Sequence, residues 1–114
     1  MSKPLNRPIM ETARSLLADE KHWCRGALAR DEGGRQVDPT DAIARRWCAF
    51  GALVAAAYEL VTDLSQAHDL ATSAAREICC CSSLINTNDT RGHAAVLALF
   101  DEALAVRAVD HASI

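Results

Sequence analysis

Trp23-Cys24-Arg25-Gly26-Ala27-Leu28 and Trp47-Cys48-Ala49-Phe50-Gly51-Ala52-Leu53 are two versions of one phrase, the second one residue longer. Between them they hold both tryptophans of the chain, each followed by cysteine and then by a Gly-Ala-Leu step. A bulky indole beside glycine and alanine suits two segments that interlock, because the small residues admit a neighbouring backbone that larger side chains would hold off. The phrases are therefore expected to be halves of one packing centre. Trp23 should lie near Trp47, with Gly26 and Gly51 allowing close approach.

Helical periodicity surrounds that centre. Pro4 and Pro8 keep the first residues extended, and a helix is expected from Asn6 or Arg7 to about Lys21, with Pro8 in its first turn. Ile9, Ala13, Leu16 and Leu17 share one face of it. Asp31-Glu32-Gly33-Gly34 is a turn signal, so 27–30 and 35–37 form either a short hairpin or a folded-back loop. Asp38-Pro39-Thr40-Asp41 reads as a helix start: Asp38 as cap, Pro39 at the first position, Asp41 at the positive helix end.

The helix expected from there carries Ile43, Trp47, Phe50, Val54 and Val61 on one face, widened by Leu53, Ala57, Leu60 and Leu64. Apolar over most of its circumference, it should be the central helix. Gly51 within it costs about 1 kcal/mol relative to alanine unless another backbone, expected near Gly26, approaches it closely. Residues 41–81 read either as one long bent helix or as two, with a break over 62–65 and Ser65 as cap. A further apolar stripe holds Ala67, Leu70, Ala71, Ala74 and Ile78. Residues 82–92, rich in Ser, Asn, Thr and Asp, read as a connection in which Asn88 or Asp89 caps a last helix striped by Val96, Leu97, Phe100 and Leu104. The fold class is thus mainly α: about four helices with a small β-hairpin or folded loop after the first. One domain over 1–114 is expected, loose over 1–5 and 110–114.

Composition narrows the function classes. The net charge of −3 and scattered arginines give no basic surface of the kind that marks nucleic-acid binding. Arg45-Arg46 is the one basic pair side by side, and a solvated shoulder is its simpler reading. The longest nearly apolar run, 47–58, is too short to span a bilayer. Without a secretory h-region in the first residues, five cysteines point to the reducing cytoplasm.

The candidate metal set is His22, Cys24, Cys48, His68, His93 and Cys79-Cys80-Cys81, but no two of these form the close C-x-x-C type of pair that aims two ligands at one ion. Three successive residues on a helix diverge by about 100° each, so the cysteine triplet does not converge either. No metal or other cofactor is expected. Nucleophilic catalysis by Cys24 or Cys48 with His22 or His93 needs a thiol of lowered pKa beside a base, and nothing in the spacing brings these groups together. Buried small hydrophobes are the simpler reading of both cysteines. Gly33-Gly34 lacks the lysine of a phosphate loop.

Three segments together, W-C-R-G-A-L-A-R-D-x-x-G-R (23–35), W-C-x-x-G-A-L (47–53) and Asn88-Asp89 followed by V-L-x-L-F-D-x-A-L (96–104), resemble a family of small bacterial and phage proteins described only as a domain of unknown function. Members often carry an aromatic where this chain has Thr87, and Arg-Thr where it has Arg91-Gly92. The resemblance implies a shared fold and no particular reaction. The functional expectation is a small non-enzymatic binding or regulatory module, phage- or mobile-element-associated and homo-oligomeric through its alanine-rich helices or bound to another protein, with neither nucleic acid nor membrane as partner. The alternative is a small enzyme or ligand-binding protein using the 22–30 and 86–93 loops. Trp23, Arg25, Asn88, Asp89, Arg91 and His93 are the candidate interaction residues.

Overall fold

The computed structural model describes the backbone of residues 5–79 and 81–112, and the side chains of 5–79 and 84–105. The chain is mainly helical, with a small sheet after the first helix. The helices are α1 (Asn6–Leu17), α2 (Ala49–Val61), α3 (Leu64–Ile78), α4 (Cys81–Arg91) and α5 (His93–Ala112). A short 3-10 turn, Glu20–His22, follows α1, and β1 (Ala29–Arg30) pairs antiparallel with β2 (Arg46–Trp47), Ala29 opposite Trp47 and Arg30 opposite Arg46.

α1 buries Ile9, Met10, Ala13 and Leu17 on the expected stripe but ends at Leu17, short of Lys21. Its outer face holds α5 through a bidentate Arg14–Asp101 pair, 2.8 and 3.2 Å. α2 is the central helix, packed on α1, α3 and α4. α3 buries Ala67, Ala71, Ala74 and Ala75. Most of the alanines of α2 and α3 are covered inside the core. Residues 41–81 divide into separate helices: Thr62 adopts a left-handed conformation (φ 54°) and Asp63, not Ser65, caps α3 by accepting from Gln66 N–H. The triplet splits here as well. Cys79 closes α3, Cys80 lies outside the described residues, and nothing is described of the Cys81 side chain.

Two expectations are corrected. Asp38-Pro39-Thr40-Asp41 does not start a helix. Its side chains close turns instead: Asp38 accepts from the N–H (2.9 Å) and hydroxyl (2.6 Å) of Thr40, and Asp41 accepts from Ile43 N–H at 3.0 Å. The reason is tertiary. Arg45 N–H bonds the Arg30 carbonyl and Cys48 N–H the Leu28 carbonyl, so 45–48 is drawn into extended pairing and α2 waits until Ala49. Ile43, assigned to a buried face, is 51 % exposed.

Residues 82–92, in turn, are not a loop. They lie largely in α4, although their local propensities favour turns. Leu84 and Asn88, one helical turn apart, are both fully buried, and that packing outweighs propensity. α4 and α5 are separated only by Gly92, whose φ of +91° suits glycine. The hairpin after α1 is real but minimal. Arg30 and Gln36 form one bridge across the 31–35 turn, and β1 uses its other edge for β2.

Candidate functional site

The three motifs meet at one side chain. Asn88, on the last turn of α4, accepts at Oδ1 from Trp23 Nε1 (2.7 Å) and from Ala49 N–H (2.9 Å). Its Nδ2 donates to the Cys24 carbonyl (3.0 Å) and to Asp89 Oδ1 (3.1 Å). An amide has two lone pairs and two N–H groups for such bonds, and Asn88 commits all four without any exposure to solvent. Asp89 adds a tie of its own, accepting from Gly26 N–H at 3.0 Å. Neither residue caps α5. Asn88 instead satisfies one of the free N–H groups at the start of α2, and Cys48 Sγ accepts from another, Gly51 N–H, at 3.3 Å.

The remaining candidates lie around this knot. Arg25 sits over the Trp23 ring, 5.0 Å from its centre, and His93 is tilted against the same indole at 5.7 Å. His93 Nε2 donates to the carbonyl of Leu17, 2.6 Å away, joining the start of α5 to the end of α1. Arg91 is exposed. Trp23, Arg25, Asn88, Asp89 and His93 are therefore brought together, and all but Arg25 bond one segment to another.

Both thiols of the repeated phrase are buried, Cys24 at 6 % and Cys48 at 3 % exposure. Burial raises the Cys24 pKa, against the opposing pull of Arg30 and Arg46. Burial likewise pushes Cys48 up to about 11, despite its place at a helix N-terminus. Neither is poised as a thiolate nucleophile at neutral pH. Among the described residues no three His, Cys, Asp or Glu side chains are grouped to hold a metal ion, and no helix is long and apolar enough to cross a membrane. His68 packs on Phe50, with ring centres 6.4 Å apart, far from a ligand role.

An open groove of about 540 Å³, which the sequence did not announce, runs between α1 and the chain leading into α2. Leu16, Ala44 and Trp47 give it apolar surface, and Thr12, Ser15, His22, Arg45 and Glu59 give it a polar rim. Trp47 is half-buried there, its Nε1 donating to the Pro39 carbonyl at 3.1 Å. Arg45 Nη1 donates to the carbonyls of Ala42 and Ala44, which holds that wall in place. Ile43 (51 % exposed) and Leu60 (50 % exposed) each adjoin a groove residue in the chain. The only sequence signal for this surface is an apolar residue beside a charged one in each segment, Ile43 and Ala44 before Arg45 and Glu59 before Leu60, and helical periodicity hides it.

Comparison with curated proteins finds no match, and comparison with solved structures finds none. The family is nonetheless shown: the model of a family of unknown function (DUF6197) matches residues 1–106, a span that contains the whole Asn88 knot and the groove, and the chain belongs to that family.

Proposed function

We propose that this chain is a small non-enzymatic binding module of the bacterial or phage-infected cytoplasm, and that it works by associating with a second copy of itself through the Trp47 groove. The observation that carries the reading is the half-buried Trp47 flanking an open groove, whose lining residues Ala44 and Glu59 adjoin the exposed Ile43 and Leu60 in the chain. Tryptophan and arginine flanked by apolar surface are the residues that concentrate energy at interfaces. The rim carries Arg45 and Glu59, opposite charges that are not ion-paired among the described residues. A two-fold interface is self-complementary: Arg45 of each copy can meet Glu59 of the other. Of the polar residues that an enzyme of the 22–30 and 86–93 segments would need, Asn88 and Asp89 are instead occupied in tying α4 to the Trp23 segment and to the head of α2.

Sedimentation equilibrium over a wide concentration range tests this. The wild type is expected to dimerise. Glu59→Arg should weaken the dimer at least tenfold, and the added exchange Arg45→Glu should restore it. A wild-type chain that stays monomeric at every concentration, or a dimer indifferent to both changes, overturns the proposal.

A further inference from the structure

The repeated phrase places its two cysteines side by side. Trp23 and Trp47 form a parallel bridge, and Cys24 N–H donates to the Trp47 carbonyl at 3.1 Å. In parallel pairing the residues one step beyond a bridged pair are again neighbours, on the opposite face from the indoles. Adjacent strands lie about 4.8 Å apart, inside the roughly 4.4–6.8 Å between α-carbons that a disulfide requires. The chain then folds over the pair. Cys24 Sγ donates to the Ala27 carbonyl (3.6 Å) while Cys48 N–H donates to the next carbonyl, Leu28 (3.1 Å). Each thiol lies within electrostatic reach of the Asp89 carboxylate, and Cys48 is within reach of Cys24.

We propose that Cys24 and Cys48 are a buried dithiol that a small peroxide closes into a reversible disulfide, fastening the Trp23 segment to the head of α2. Both residues are nearly sealed from solvent, which suits an oxidant as small as hydrogen peroxide better than a bulky disulfide. Cys24 is the attacking sulfur: it is the more exposed of the two, 6 % against 3 %, and because burial raises its pKa the closure is slow at neutral pH and quickens as pH rises. The Cys24 thiolate attacks one peroxide oxygen. The S–O bond forms, the O–O bond breaks, and the departing hydroxide takes up the thiol proton to leave as water. Cys48 then attacks the sulfenic sulfur. The S–S bond forms and the S–O bond breaks, and the second oxygen leaves as water with the Cys48 proton. Two thiols are oxidised and one peroxide is reduced to two waters. Closure draws Cys48 Sγ away from Gly51 N–H, so the redox state reaches the first turn of α2 directly.

The test is peptide mapping of the folded wild-type chain after hydrogen peroxide, with alkylation of remaining thiols and tryptic digestion without reductant. Trypsin leaves Cys24 in 22–25, Cys48 in 47–76 and the cysteine triplet in 77–91. The expected result is a 22–25/47–76 cross-linked pair that dithiothreitol separates, with both thiols lost to the alkylating agent together. Cys48→Ser, which keeps a capping oxygen, should abolish the pair and leave Cys24 oxidised beyond the sulfenic stage. Recovery of 22–25 and 47–76 as separate peptides from the oxidised wild type, or a link from either to 77–91, overturns the inference.

Discussion

The α-carbon of Gly51 stands against the carbonyl of Leu28 so closely that a Cβ built on the glycine would overlap the carbonyl oxygen. This is the close approach that the repeated phrase implies, although its partner is the Leu28 backbone and not Gly26. Gly26 has its own reason to be glycine, a φ of +80° in the loop that Asp89 holds.

That contact sets two effects of Gly51→Ala against each other. Helix propensity alone favours alanine by about 1 kcal/mol. Overlap with a fixed backbone carbonyl, itself bonded to Cys48 N–H, costs about 3 kcal/mol or more and should win. Urea denaturation should show a clear loss of stability. An unchanged or raised midpoint would mean that the Leu28 segment yields freely.

Removing the Asn88 amide leaves Ala49 N–H, Trp23 Nε1 and the Cys24 carbonyl without their partner. Each buried polar group left unpaired costs about 1–3 kcal/mol, so Asn88→Ala should lose about 3 kcal/mol at least. Asn88→Asp should also destabilise, because it keeps an acceptor but sets a second negative charge against Asp89 and the Cys24 carbonyl. Denaturant melts of both variants decide this, and a mild effect from either would demote Asn88 from its central place.

The Thr40 hydroxyl, and then its N–H, hold the Asp38 carboxyl below the usual carboxylate range. A depressed pKa contributes stability above the ordinary carboxylate value, and that contribution is lost as pH falls through the lower folded value. Thr40→Ala should therefore raise the Asp38 pKa in an NMR titration and move the acid unfolding midpoint slightly upward. An Asp38 titration that does not respond would show the hydrogen bond to be unformed in solution.

Thiol reactivity should follow burial. Cys79 is half-buried, whereas Cys24 and Cys48 are nearly sealed and carry raised pKa values. In reduced native protein, iodoacetamide should label Cys79 well before either. Labelling of Cys48 should accelerate with each added pH unit up to about 11. Rapid labelling of Cys24 or Cys48 at neutral pH would point to a reactive-thiol site instead.

The sequence by itself determined the helices α1, α3 and α5 and the kinship of the two Trp-Cys phrases. Each apolar stripe repeats within a few residues, and such periodicity is local information. Asp38-Pro39-Thr40-Asp41 misleads for the same reason: it reads locally as a helix start, yet the same side chains can close a turn. Only the tertiary structure decided, through backbone bonds from Arg45 to Arg30 and from Cys48 to Leu28. It likewise made a helix of 81–91, turned Asn88 from a cap into the common partner of three segments, and opened the groove beside Trp47. These features are made of contacts between residues far apart in the chain, such as Asn88 with Trp23. Their energies exceed local propensities of a few tenths of a kcal/mol, and no short window of sequence contains both partners.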